Sequence, residues 1–200
     1  LGVMADPEER AESIRRQADG LASSVGGRAV IDPELLEEVT FLVEWPTAFV
    51  GGFAEDYLDL PEACVITPMK DHQRYFPVRG PGGSLMPVFV GVANGGDSAV
   101  DVVRAGNEKV LAARLADARF FYEEDMKRPL AERVADLRGV VFQEKLGTMY
   151  EKAVRIGRLA SELLLGAPEA ALAERTALLA KADLVTSVVR EFTELQGVMG

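Results

Sequence analysis

The residues best placed to do chemistry stand together in Thr67-Pro68-Met69-Lys70-Asp71-His72-Gln73-Arg74-Tyr75-Phe76. Lys70 and Arg74 can neutralise phosphate oxygens, His72 and Gln73 can hydrogen-bond to base edges, and Tyr75 or Phe76 can stack on bases. The chemistry suggested is recognition of a nucleic acid, not bond cleavage. A lone histidine beside an aspartate is not a triad, and no Ser or Cys stands in a recognisable nucleophile elbow. The same residues also suit a solvated turn at a sheet edge. A second cluster, Asn107-Glu108-Lys109 followed by Arg114, Asp117 and Arg119, has helical spacing. Lys109, Arg114 and Arg119 are candidates for phosphate contact there. Against that stands a surface laced with ion pairs, in which Arg104 reaches Glu108 and Arg114 reaches Asp117.

Other chemistries find no residues to carry them. His72 and Cys64 are the single histidine and the single cysteine, which excludes a site with two imidazoles, a multi-thiolate metal centre and a disulfide framework. Cys64 sits among apolar neighbours and reads as an inert buried thiol. There is no GxGxxG after a strand and no GxxxxGK[ST], so neither standard phosphate loop is present. Gly80-Pro81-Gly82-Gly83 is glycine-rich but joins two strands.

The elements that must hold these residues are partly legible. Asp6-Pro7-Glu8-Glu9 and Asp32-Pro33-Glu34 are helix starts, with a capping aspartate, a proline suited to the first turn and acids at the positive end of the dipole. The first helix is predicted to run to about Val25 and stop at Gly26-Gly27. The second presents Leu35, Leu36, Val39, Leu42 and Val43 as one stripe and ends at Pro46. Thr47–Val50 is a short strand broken by Gly51-Gly52, and Val65-Ile66-Thr67 is a strand entry. Residues 74–78 and 85–92 form a hairpin whose Pro77 and Pro87 imply edge positions or bulges. From Asp97 onward the pattern is helical throughout. Asp97 or Ser98 caps a long helix in which Gly106 marks a close contact or a break, Pro129 starts a short helix, and further helices cover about 148–165, 169–185 and 187–196. The expectation is an α+β class: a small antiparallel or mixed sheet module with flanking helices over residues 1–145, then an all-α bundle over 146–200.

With 200 residues, 48% apolar and 27% charged, the chain is long enough for a real core and is not disordered. No apolar run reaches the roughly 18 residues of a membrane span, and no secretion signal is visible, so a soluble, cytoplasmic protein without membrane contact is expected. The chain opens on Leu1 without an initiator Met, which suggests a piece of a longer polypeptide. The net charge of −10 is uneven. The first 64 residues hold 14 acids and 4 bases, whereas residues 65–145 hold 11 acids and 12 bases. Any contact with phosphate is therefore expected in the middle segment, because an acidic face repels nucleic acid.

Longer stretches carry a resemblance. Leu42-Val43-Glu44-Trp45-Pro46, Met69-Lys70, Gln73-Arg74-Tyr75-Phe76-Pro77-Val78 and Val92-Ala93-Asn94 come first. Gly106-Asn107-Glu108-Lys109-Val110, Arg114-Leu115-Ala116-Asp117-Ala118-Arg119-Phe120-Phe121 and Phe142-Gln143-Glu144-Lys145-Leu146-Gly147-Thr148 follow. Lys181-Ala182-Asp183-Leu184-Val185-Thr186 and Glu191-Phe192-Thr193-Glu194-Leu195-Gln196-Gly197-Val198-Met199-Gly200 close the series. In this order they resemble the beta subunit of the bacterial heterotetrameric (alpha2 beta2) glycyl-tRNA synthetase, over essentially the whole chain.

The resemblance implies an interior stretch of that much longer subunit: the later part of a module similar to a domain of phenylalanyl-tRNA synthetase, then the start of a degenerate HD-like helical domain. It further implies a ligase whose alpha subunit performs the aminoacylation with ATP and Mg, so that this stretch is not catalytic and carries no cofactor of its own. The implied partners are the alpha subunit and tRNA(Gly). Lys70, His72, Gln73, Arg74, Lys109, Arg114 and Arg119 are then the tRNA-binding candidates. HD hydrolases hold metal through an adjacent His-Asp pair; here Ala182 precedes Asp183, so the resemblance implies no metal site and no hydrolysis. An incomplete helical domain can also leave apolar surface exposed or pair with another copy. The competing expectation is a structural, protein-interaction module of the synthetase without RNA contact.

Overall fold

The computed structural model describes residues 2–199, with the side chains of Ala170 and Ala171 left aside. Its contacts divide the chain into two compact units, Leu1–Arg119 and Phe120–Gly200; the division falls ahead of residue 145, inside a long helix.

In the first unit both expected helix starts form. The Asp6 carboxylate accepts the N–H of Glu8 at 2.8 Å and caps α1, Pro7–Ser24. Asp32 accepts the N–H groups of Glu34 and Leu35 at 3.0 Å and caps α2, Pro33–Leu42. Gly26, at φ +78°, turns the chain out of α1 into the short strand β1, Arg28–Ala29; a side chain there would be strained. α2 ends at Leu42, and Pro46 opens a strand, β2, Pro46–Gly52. With β3, Phe76–Arg79, and β4, Leu85–Asn94, these strands make an antiparallel sheet in the order β1-β3-β4-β2. The α+β class is therefore as expected.

Several local readings change. Gly51 and Gly52 do not break β2, because Gly51 lies opposite Phe89 and Phe49 lies opposite Gly91. A Cβ on either Gly51 or Gly91 would meet the facing phenyl ring at 2.4 Å. Each ring thus fills the space above its partner glycine, and the two rings meet edge-on with centroids 6.3 Å apart. Of the two alternatives for Pro77 and Pro87, edge positions or bulges, the bulge is the one that forms, since both prolines are on central strands. They are tolerated because the β3–β4 register slips between Pro77 and Arg79, where Met86, Pro87 and Val88 face Val78 alone. Val65-Ile66-Thr67 is helical, the end of α3, Glu62–Thr67. That turn buries Cys64, Val65 and Thr67, and the gain in burial overrides β-branched propensity.

One face of the sheet, with Phe76, Val78 and Val90, packs on Ile14, Ala18 and Ala22 of α1 and on Leu35, Leu36 and Val39 of α2. The other face carries Phe49 and Phe89, on which Tyr75 stacks at 4.3 Å. A 3-10 turn, Asp97–Ala99, leads into α4, Val100–Met126. α4 runs unbroken through Gly106, which is exposed with open space around it; nothing in the structure requires a glycine there.

The second unit is not wholly helical. After α5, Leu130–Arg133, and a 3-10 stretch, Val134–Gly139, a small hairpin pairs β5, Val141–Gln143, with β6, Gly147–Thr148. Gly147, at φ +82°, makes that turn possible. Thr148 and Glu151 then form a reciprocal capping box for α6, Met149–Leu163. α7 spans Ala170–Leu179, shorter than expected. A 3-10 turn, Ala182–Val185, follows, and the last segment is α8, Ser187–Glu191, with a 3-10 turn over Thr193–Leu195. Asp125 on α4 accepts the N–H groups of Ser187 and Val188 at 2.9 and 2.8 Å and pairs with the buried Arg133 at 3.1 Å.

Candidate functional site

The 67–76 segment is built as a turn of α3 that widens into one π-helical turn, Pro68–His72. Pro68 lacks the N–H that a continuing α-helix would need, and the helix widens to a π turn from this residue on. The turn closes on Arg74, a non-glycine residue at φ +59°, with the Tyr75 N–H returning to the Met69 carbonyl at 2.9 Å. This left-handed closure sends Tyr75 and Phe76 inward. Both are buried, which corrects their expected availability for stacking on bases. The Tyr75 ring is in the core against Phe89, and its hydroxyl donates to Asn107 Oδ1 of α4. Burial pushes its phenol up to about 12.

The charged side chains of the turn reach across the fold. The Lys70 ammonium donates to Asp32 Oδ2 at 3.1 Å, and the Arg74 guanidinium donates to Glu38. These pairs tie the turn to the N-cap and to the middle of α2. The Leu35 N–H first, and Lys70 after it, hold the Asp32 carboxyl below its usual range. Glu34, Glu38, Lys70, Asp71 and Arg74 line a shallow depression of about 180 Å³. With Asp32 counted, four carboxylates meet two cations at this spot. His72 and Gln73 are half-buried beside it.

The helix cations do not gather into one patch. Lys109, Arg114 and Arg119 follow each other at five-residue intervals, and at about 100° per residue each is rotated about 140° from the last. Lys109 is exposed and Arg114 half-buried. Arg119 donates to Asp56 at 2.7 Å and lies over the Tyr57 ring at 4.3 Å. Arg104 pairs with Asp101 at 3.1 Å and not with Glu108, because the Glu108 carboxylate accepts the Gly52 N–H at 2.9 Å instead. Asn107 and Glu108 therefore bind α4 to the sheet. Sequence reasoning missed both roles, since their partners lie 32 and 56 residues away.

Asp183 stands on its 3-10 turn with Ala182 buried before it. Its Oδ2 accepts the Gly197 N–H at 2.6 Å, while its Oδ1 is buried without a hydrogen bond among the described residues. A carboxylate so enclosed holds the terminal turn in place. Among the described residues no three His, Cys, Asp or Glu side chains converge as metal ligands. A larger cavity, about 550 Å³, lies between residues 26–31 and the 79–83 turn and is lined by none of the seven nominated residues. No helix among the described residues is long and apolar enough to cross a membrane.

The described residues thus form an antiparallel sheet module, in which Lys70, Arg74 and Arg119 pair with carboxylates, and a second, largely helical unit. The family model of the glycyl-tRNA synthetase beta subunit matches residues 1–200, and the chain belongs to that family. It is 55% identical over 202 residues to the glycine–tRNA ligase beta subunit of Moorella thermoacetica, 53% to that of Desulforudis audaxviator and 54% over 201 residues to that of Clostridioides difficile. Each match covers 99% of this chain and 29% of the relative. The chain therefore spans about three-tenths of the length of these relatives.

Proposed function

We propose that this chain is a non-catalytic part of a glycine–tRNA ligase beta subunit, working in the cytoplasm. In that reading it maintains the assembly in which the alpha subunit, using ATP and Mg, aminoacylates tRNA(Gly). The observation that carries the reading is the excess of carboxylates around Lys70 and Arg74. A phosphate approaching that spot meets net negative charge and must displace carboxylates already in place. The cluster expected to bind RNA is thus proposed as a set of internal ties.

A second reading, direct contact with tRNA(Gly), is favoured by the exposed ammonium of Lys109 on α4. Kinetics test whether tRNA meets the Lys70–Arg74 cluster. In the assembled enzyme, the Lys70→Ala/Arg74→Ala variant is expected to leave the KM for tRNA(Gly) within about twofold. Its cost to folding is expected at about 1 kcal/mol or less, since both pairs are partly solvated. A tenfold rise in KM at unchanged kcat would instead place tRNA at this cluster.

A further inference from the structure

α6 carries apolar residues over a wider arc than its neighbour covers. Met149, Ala153 and Gly157 are buried, and at Gly157 α7 comes so close that a Cβ would stand 3.1 Å from the Glu174 Cα. Ile156, Leu159 and Leu163 recur at helical spacing about a quarter-turn away. They are 39, 60 and 87% exposed. One turn before Ile156, Lys152 extends this stripe towards the hairpin by lying over the Phe142 ring at 3.8 Å. An apolar stripe left uncovered on a helix marks an interface.

We propose that the Ile156–Leu159–Leu163 stripe is the docking face for a helix of the beta-subunit polypeptide that lies outside residues 1–200. The chain covers 29% of its relatives' length, so on the family's scale most of the polypeptide is unaccounted for. Polypeptide joined covalently reaches such a stripe at an effective concentration that a separate molecule lacks. The stripe is about 10 Å long, which matches two turns of an amphipathic helix. Lys152 stands at its N-terminal end and Arg155 at its side, so the covering helix should carry acidic residues that face them. The inference rests on family membership and not on either reading of RNA contact.

The test uses the full-length beta subunit that contains these residues. Leu159→Cys and Leu163→Cys are introduced singly, with Arg158→Cys as the reference, its parent side chain being 82% exposed; the native Cys64 is buried. In the isolated subunit, maleimide is expected to modify positions 159 and 163 at least tenfold more slowly than 158, at every protein concentration. Equal rates would overturn the proposal. Protection that disappears on dilution would assign the stripe to a second copy, and protection that needs the alpha subunit or tRNA would assign it to those partners; either result overturns it too. As an independent reading, Leu163→Lys is expected to lower the melting temperature of the full-length subunit by at least 4 °C, and a melting curve like that of the parent would count against the proposal.

Discussion

Burial of Tyr75 and Cys64 works against the first unit at alkaline pH. Burial pushes the Tyr75 phenol up to about 12 and the Cys64 thiol up to about 11. Between its ordinary pKa near 10 and its folded value, the Tyr75 proton is held by the folded state and lost by the unfolded one. Stability from this group is therefore complete below about pH 10 and falls as pH climbs towards 12. Cys64 adds the same trend from about pH 9 to 11. Urea midpoints measured from pH 8 to 12 should fall over this window, and Tyr75→Phe should flatten the upper part of the fall. At the acid end the sign reverses. Asp32 is held below its usual range, so its contribution is present above that range and is lost as pH drops through the folded value. Asp32→Ala removes the α2 cap together with the Lys70 partner and should cost about 1–2 kcal/mol at pH 7 in a denaturant titration.

Among the elements, the β2–β4 pair is the most exacting. Gly51→Ala places a methyl against the Phe89 ring, so the unit must open the facing strands or move a buried phenyl. The expected cost is about 1–3 kcal/mol, read as a lowered denaturation midpoint, whereas Gly106→Ala on the open face of α4 should be neutral or slightly stabilising. The same positions show what could be read in advance. The two aspartate-capped helices were legible because each signal and its response lie within three residues. The β2 strand was not, because a glycine's tolerance there depends on a phenyl ring 38 residues further on. α3 was mistaken for a strand because Val65-Ile66-Thr67 has strand propensity, while what decides its form is burial. The 70–74 cluster was correctly seen as dense in charge; its carboxylate partners, Asp32 and Glu38, sit 38 and 36 residues back on α2.

At the scale of the whole molecule, the distribution of charge supports the proposed scaffold role over RNA contact. The first 64 residues sum to −10, and α2, within that stretch, brings Asp32, Glu34 and Glu38 to the basic turn. The turn's positive charge is spent inside the unit, which leaves little field to draw phosphate. In the second unit the uncovered stripe of α6 directs attention to more protein rather than to nucleic acid. Both features agree with a segment that folds around its own ion pairs and holds a larger subunit together. The most direct measurement is a titration of the 200-residue chain, shown to be folded by a cooperative melting transition, with tRNA(Gly) and a non-cognate tRNA at two salt concentrations. The expected result is no discrimination between the tRNAs and no binding tighter than about 10⁻⁶ M at physiological salt. Tight, salt-sensitive binding that prefers tRNA(Gly) would contradict the scaffold reading and place RNA contacts within these residues.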